Sequence, residues 1–303
     1  MATMTARDYA IYDVFTDTGL AGNPLAVVFD GSGLTTERMQ AITREFNLSE
    51  TVFVMAPDNP AHTAAIRIFT PGRELPFAGH PTVGTAIALA EIAHPGQDID
   101  LMSVLEEKVG PVRCMVRLAA GQVAFAEFDL PRTSERLGGT FAAQDVADAL
   151  CISAADIGFE NHVLSVWSAG VAFLMVPVRD MAAIESVVFD PALWQKAVDK
   201  TTAAYVYCRG GTDHRAAFHA RMFAPDMGIS EDPATGAAVA AMSGAIHHFD
   251  QLAEGHHSLL IEQGVEMGRP SHIHLHLELQ SGMIRHARIG GEAVKIAAGQ
   301  LYL

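Results

Sequence analysis

Cysteine is scarce in this chain: three in 303 residues, Cys114, Cys151 and Cys208, scattered and without a CxxC pair. That pattern argues against a disulfide framework, and all three are expected to be reduced core residues. Positive charge is also in short supply, with 20 Lys and Arg against 35 Asp and Glu and a formal net charge of −15. Such a field repels phosphate backbones and anionic lipid, so neither nucleic acid nor a membrane surface is an expected partner. It leaves room for a small carboxylate held by local dipoles. No uncharged apolar run reaches the roughly 18 residues that suggest a membrane span. The opening stretch, MATMTARDYAIYDVF, carries Arg7 and Asp8 and no continuous apolar centre, so it does not read as a signal peptide, and a cytoplasmic location is expected.

What the chain does contain is a repeat. Residues 67 to 95, RIFTPGRELPFAGHPTVGTAIALAEIAHP, return in weaker form at 221 to 250, RMFAPDMGISEDPATGAAVAAMSGAIHHFD. Arg67, Phe69 and Pro71 answer to Arg221, Phe223 and Pro225, an offset of 221 − 67 = 154; Pro81 and Gly84 answer to Pro233 and Gly236, an offset of 236 − 84 = 152. An internal duplication with a two-residue change in the loop is the reading, and with 303 residues it favours two domains. Each copy is expected to be a strand, a turn-rich loop and a helix opening at its proline. The residue before that proline is polar in both, His80 and Asp232. The helices are apolar nearly all round, which marks elements enclosed by other structure. An enclosed helix start presents unpaired N–H groups and partial positive charge, a ready site for an anion.

Around the repeat, YAIYDVF and PLAVVF alternate as strands, TTERMQAITREF reads as an amphipathic helix, and NLSETVFVM returns to strand. Asn23, between Gly22 and Pro24, is either a turn residue or an amide pointing at a ligand. Glu50 stands at the mouth of an apolar strand. It is either a solvated strand-edge glutamate or a partly buried one, whose pKa burial would raise toward the range a proton-transferring group needs. GPVRCMVRL and QVAFAEFDL read as strands, and DLPRTSERLGG as the connection between halves. QDVADALCI is expected to be a short helix, HVLSVWSAGVAFLMVPV strands, PALWQKAVDK a helix and AAYVYCR a strand. Alternate residues of one strand share a face, so His272, His274 and His276 form either a solvated face or a metal site, the former being favoured because no carboxylate pattern accompanies them.

NLSETVFV, RIFTPGRELPFAGHPTVGTAIALAE, EDPATGAA and QGVEMGRPS, in that order, resemble the PhzF family of phenazine-biosynthesis-like isomerases, within the diaminopimelate epimerase-like folds. The resemblance runs from about residue 9 to the closing GQLYL. It implies an α+β fold of two similar halves, 1–128 and 129–303, the final strand packing back on the first. Each half would be a curved, mostly antiparallel sheet around a buried central helix, with the active site in the cleft between them. The family's acid/base glutamate falls on Glu50, its motif histidine on His80 and its second-half carboxylate on Asp232. Substrate-binding positions fall on Asn23, Gly79, Pro81, Thr235, Gly236 and Ala237. The implied activity is a cofactor-free shift of a C–H proton and double bond in a carboxylated cyclic diene, trans-2,3-dihydro-3-hydroxyanthranilate in phenazine producers, by a homodimer. One departure is visible: Ala237 stands where the phenazine enzyme has serine.

The same chemistry follows from the residues. Moving a proton off carbon and back needs a base, stabilisation of developing negative charge and exclusion of water. Glu50 supplies the first and the helix starts the second, while His80 and Asp232 either orient and protonate the substrate or cap their helices. A cofactor-independent amino-acid racemase would need two opposed cysteines, which FAGHP and EDPATG lack. The other rivals are a carboxylate-binding protein without turnover, favoured by the missing hydroxyl at Ala237, and a purely structural dimer.

Overall fold

The computed structural model describes residues 5–198 and 202–303. Residues 199 and 200 of the helix read in PALWQKAVDK, and the first four residues of the opening stretch, lie outside them. Contacts divide the chain into two compact units, one running to Asp129 and reclaiming Gly290–Leu303, the other Leu130–Ile289.

In chain order the first unit holds β1 (Ala6–Val14), β2 (Asn23–Val28), α1 (Thr36–Phe46), β3 (Glu50–Met55), β4 (Ala64–Phe69) and β5 (Glu74–Leu75). It continues with α2 (Gly79–Ala93), β6 (Ile99–Glu107), β7 (Gly110–Leu118) and β8 (Ala124–Asp129). The second unit holds β9 (Glu135–Leu137), α3 (Ala143–Ala149), β10 (Ser165–Ser168), β11 (Ala172–Pro177), α4 (Met181–Glu185) and α5 (Pro191–Ala197). After these come β12 (Ala203–Arg209), β13 (Phe218–Ala224), β14 (Ile229–Asp232), α6 (Gly236–Asp250), β15 (Gly255–Gln263) and β16 (Ser271–Gln280). The long β17 (Met283–Tyr302) ends the chain, its residues from Gly290 onward belonging to the first unit.

Strand pairing repeats. In the first unit β1–β2 is antiparallel, β2–β3 parallel, β3–β4 antiparallel, β4–β6 parallel and β6–β7 antiparallel. The second gives the same series for β10–β11, β11–β12, β12–β13, β13–β15 and β15–β16. β7–β8, β8–β17 and β17–β1 close the first series into an eight-stranded barrel. Both central helices are fifteen residues long and buried along most of that length, as their apolar surface requires. Close approach explains their small residues: a Cβ on Gly84 would lie 2.7 Å from Leu25 and Val14 side-chain atoms, and one on Gly244 2.6 Å from Ser134 Oγ and the Trp167 ring. No helix among the described residues is long and apolar enough to cross a membrane.

Four expectations change. Proline opens neither central helix: Pro81 is the third residue of α2, and Pro233 precedes α6, whose cap is Thr235. The two-residue loop change is replaced by a three-residue one of opposite sign, since the strands lie 218 − 64 = 154 apart and the helix starts 236 − 79 = 157 apart. Prolines and glycines occur too often in such loops to fix a register, so Gly84 and Gly236 were a false match. Asn23 is the first residue of β2 and fully buried rather than a turn residue. Cys114 and Cys208 are core residues, but Cys151 is exposed, on a backbone with φ 55° just beyond α3.

Candidate active site

Glu50 opens β3, three residues after the left-handed C-cap of α1 at Asn47. The parallel ladder sets it opposite Leu25, and only 8 % of it is exposed, which removes the solvated-edge reading. His80, the second residue of α2, is 4 % exposed and brings Nε2 to 3.3 Å from Glu50 Oε2. Burial pushes the His80 pKa down to about 3, so this is a neutral imidazole against a carboxyl group. Gly79 and His80 begin the helix, and Ala78, the N-cap, has no side chain to cap their N–H groups. Pro81 has no N–H, so the backbone donors at this end are Gly79 and His80 alone.

Beneath this turn lies a carboxyl group that the sequence did not reveal. Glu107, at the end of β6, is buried, and its Oε1 is 2.7 Å from Thr82 Oγ, which itself lies 2.8 Å from the Ala78 carbonyl. Burial raises the Glu107 pKa to about 8 against the weaker opposing effect of Thr82. Protonated Glu107 then donates to Thr82, and Thr82 donates to Ala78, which braces the helix start. Because folding raises its pKa above 4.5, the stability that Glu107 contributes is fully present below pH 4.5 and lost as pH rises through about 8. His80 acts in the opposite sense, stability rising with pH between about 3 and 6.5. In Glu107→Gln the stability gained over the parent, measured by urea unfolding, should grow by about 1.4 kcal/mol per pH unit between 4.5 and 8. A gain independent of pH would contradict a buried neutral carboxyl.

The second unit builds a different helix start. Asp232 ends β14, and Thr235 is the N-cap of α6, but its hydroxyl donates to Asp232 Oδ2 instead of capping the helix. Gln263, the fully buried last residue of β15, organises the rest. Its Nε2 donates to the Asp232 carbonyl at 2.7 Å and to Thr235 Oγ at 3.1 Å; its Oε1 accepts Thr235 N–H at 3.2 Å and the Tyr205 hydroxyl at 3.3 Å. Burial, and then the Asp232 charge, hold the Tyr205 phenol well above its usual range, so it remains a donor. Gly264, at φ 79°, is required next to Gln263: a Cβ there would be 2.5 Å from the carbonyl oxygens of Pro233 and Arg269. Gly236 and Ala237 are the first residues of α6, so Ala237 occupies the same helical step as His80.

Arg67 and Arg221 are committed elsewhere. Arg67 Nε is 2.7 Å from Glu74, with its guanidinium 5.1 Å from the Phe69 ring centre. Arg221 Nε is 2.8 Å from Glu231, with its guanidinium 5.2 Å from the Phe223 ring centre. His272, His274 and His276 line the partly exposed face of β16; His272 approaches Asp213 at 3.4 Å and the other two rings stack. The one group among the described residues with metal-ligand spacing is Glu160, His162 and Asp250, and Arg209 already bridges its two carboxylates at 2.6 and 2.7 Å. Of the sequence-derived candidates, Glu50 and His80 lie 3.3 Å apart, and Asp232 and Thr235 share one network, with Gly236 next in the chain as the first residue of α6. That reasoning missed Gln263, Tyr205 and Glu107; QGVEMGRPS held a signal for the first alone.

A barrel wound on a buried helix, matched by a second sheet wound on another, with buried carboxylates at the helix starts, defines the class of epimerase-like isomerases. The model of the phenazine biosynthesis-like (PhzC-PhzF) family matches residues 12–299, and the chain belongs to that family. It is 52% identical to an uncharacterized isomerase of Mesorhizobium japonicum over 99% of this chain and 100% of that protein. It is 33% identical to the trans-2,3-dihydro-3-hydroxyanthranilate isomerase of Pseudomonas chlororaphis, over 97% of this chain and 99% of that one. The crystal structure of a Bacillus anthracis PhzF-family protein superposes with a TM-score of 0.88 at 24% identity, covering 99% of this chain and 100% of that one, which shows the fold. The chain is an isomerase by class.

Proposed function

We propose that this isomerase moves a C–H proton and a double bond within a small cyclic carboxylate, by acid/base catalysis without a cofactor. The observation that carries the reading is the buried pair of Glu50 carboxyl and neutral His80 imidazole, 3.3 Å apart, at an uncapped helix start. Glu50 takes the proton from carbon and returns it to another carbon, with the neutral His80 ring packed beside its carboxyl at the helix start. The substrate carboxylate, conjugated with the developing carbanion, is held by Gly79 and His80 N–H or by Gly236 and Ala237 N–H. Arg67 and Arg221 have no part in this, since they are spent on Glu74 and Glu231. Asp232 and Gln263 fix Thr235 and with it the start of α6. Two-thiol racemase chemistry lacks support: burial holds the Cys114 thiol well above its usual range and pushes Cys208 up to about 12.

Ala237 sets the substrate apart from the phenazine precursor. A missing hydroxyl in a closed pocket costs about 1 to 3 kcal/mol for a ligand group left unpaired, roughly a 5- to 150-fold effect. Incubation in deuterated water with a panel of cyclic and unsaturated carboxylates, followed by mass, should show exchange of one C–H position. Trans-2,3-dihydro-3-hydroxyanthranilate should be a poor substrate that Ala237→Ser improves by that factor. Efficient turnover of it by the unaltered protein would remove Ala237 as a discriminator, and no exchange with any acid would favour carboxylate binding without catalysis.

A further inference from the structure

Behind Gln263 lies a fully buried histidine that the reaction scheme does not use. His219, on β13, places Nδ1 2.6 Å from Glu262 Oε2 and Nε2 2.9 Å from Glu266 Oε1. Both ring nitrogens face carboxylate oxygens, so both must carry a proton for both hydrogen bonds to exist, and the ring is an imidazolium. Glu262 ends up satisfied: it also accepts Thr212 N–H at 2.8 Å, Thr212 Oγ at 2.6 Å and Asp213 N–H at 2.8 Å. Glu266 lies in the turn that follows β15 and has no element of its own to hold it. The two glutamates bracket Gln263 and Gly264 in the sequence, and the parallel ladder sets His219 against Glu262 and Ala220 against Gln263.

We propose that His219 is a positioning residue: its ring, clamped between Glu262 and Glu266, fixes the turn after β15 and so holds the Gln263 amide against Asp232 and Thr235. That Gln263 serves a catalytic site rests on the function proposed above; the clamp itself does not. Its physical logic is that one charge ties a strand residue and a turn residue to the same point. Backbone bonds from Met267 and Arg269 N–H to the Gly264 carbonyl and from Gly268 N–H to that of Val265 shape the turn itself. Gly264, packed against the Pro233 carbonyl, transmits any movement of the turn straight to the loop that carries Asp232.

Protonation controls the clamp. Burial lowers the His219 pKa, but the hydrogen bonds to Glu262 and Glu266 outweigh it and raise the value to about 9. The other groups nearby leave that sense unchanged. Cys208, opposite His219 on β12, stays a neutral thiol; burial acts to raise the pKa of Glu266, but the hydrogen bond and charge of His219, with a smaller contribution from Arg221, lower it and keep Glu266 ionised. His272 lies opposite Glu262 on β16 and is drawn to Asp213 at 3.4 Å. Folding raises the pKa above 6.5, so the clamp is complete below that pH and is lost as pH climbs through about 9.

The test follows side-chain resonances of the full-length protein labelled in histidine and glutamine. His219 is expected to be protonated on both nitrogens at pH 7 and to titrate near pH 9, with the Gln263 side-chain amide shifting at the same midpoint. Glu266→Gln keeps the shape of that partner and removes its charge, so both midpoints should fall together by roughly one to three pH units. With any acid that exchanges in deuterated water, the alkaline fall in kcat/KM should move with them. A His219 that titrates near 6.5, or a Gln263 amide that stays fixed while His219 titrates, overturns the proposal. Neither resonance depends on turnover, so a protein that exchanges no acid at all would contradict the proposed activity and leave this result standing.

Discussion

Glu50→Gln is expected to slow deuterium incorporation into a confirmed substrate by roughly two to four orders of magnitude while leaving unfolding unchanged within experimental error. The amide preserves the shape of the side chain and its place opposite Leu25 in the ladder, but cannot take a proton from carbon. His80 cannot replace it. An imidazole whose pKa burial has lowered to about 3 is a weak base, and the pH at which it would become protonated lies far from neutrality. The effect should therefore appear in kcat, with carboxylate binding retained, because the N–H groups of Gly79 and His80 belong to the backbone and survive the substitution. Retention of normal exchange by Glu50→Gln would show that another group carries the proton.

Gly264→Ala should cost about 3 kcal/mol or more of stability. Two costs coincide. The residue sits at φ 79°, where a Cβ is strained, and the added carbon would meet the carbonyl oxygens of Pro233 and Arg269 at 2.5 Å. Relief requires the turn after β15 to withdraw from the Asp232 loop, carrying Gln263 with it. The melting temperature should fall by roughly 6 to 12 °C, and exchange activity should fall further than the remaining folded fraction accounts for. A melting point within about 2 °C of the parent would mean that the turn has room the structure does not show.

The elements that the sequence revealed best are those whose periodicity is forced by burial. The alternation of YAIYDVF and the unbroken small apolar surface of the two central helices follow from being enclosed, and both fall where expected. Glu50 and His80 were legible as site candidates because each is a polar residue set into an apolar frame. Loop register was not legible, because Pro81 and Pro233 are ordinary loop and first-turn residues whose coincidence carries little information. The network around Thr235 was invisible for a different reason: Gln263 is 28 residues away and Tyr205 58 residues from Gln263. Nothing local marks a glutamine at a strand end as the partner of a distant helix cap. Glu107 was hidden likewise, since a carboxyl group one residue from a lysine reads as surface until β6 and α2 enclose it.

The paired braces Arg67–Glu74 and Arg221–Glu231 also locate the difference in length between the two copies. The arginines stand 221 − 67 = 154 residues apart, the glutamates 231 − 74 = 157 and the helix starts 236 − 79 = 157, so the length difference between arginine and helix start lies wholly between arginine and glutamate. From the glutamate to the ends of the central helices the two copies run in step. His80 and Ala237 therefore occupy one repeated position. On the helix side of the brace the two starts differ by side chains on a common backbone: an imidazole at His80 in the first unit and a methyl group at Ala237 in the second.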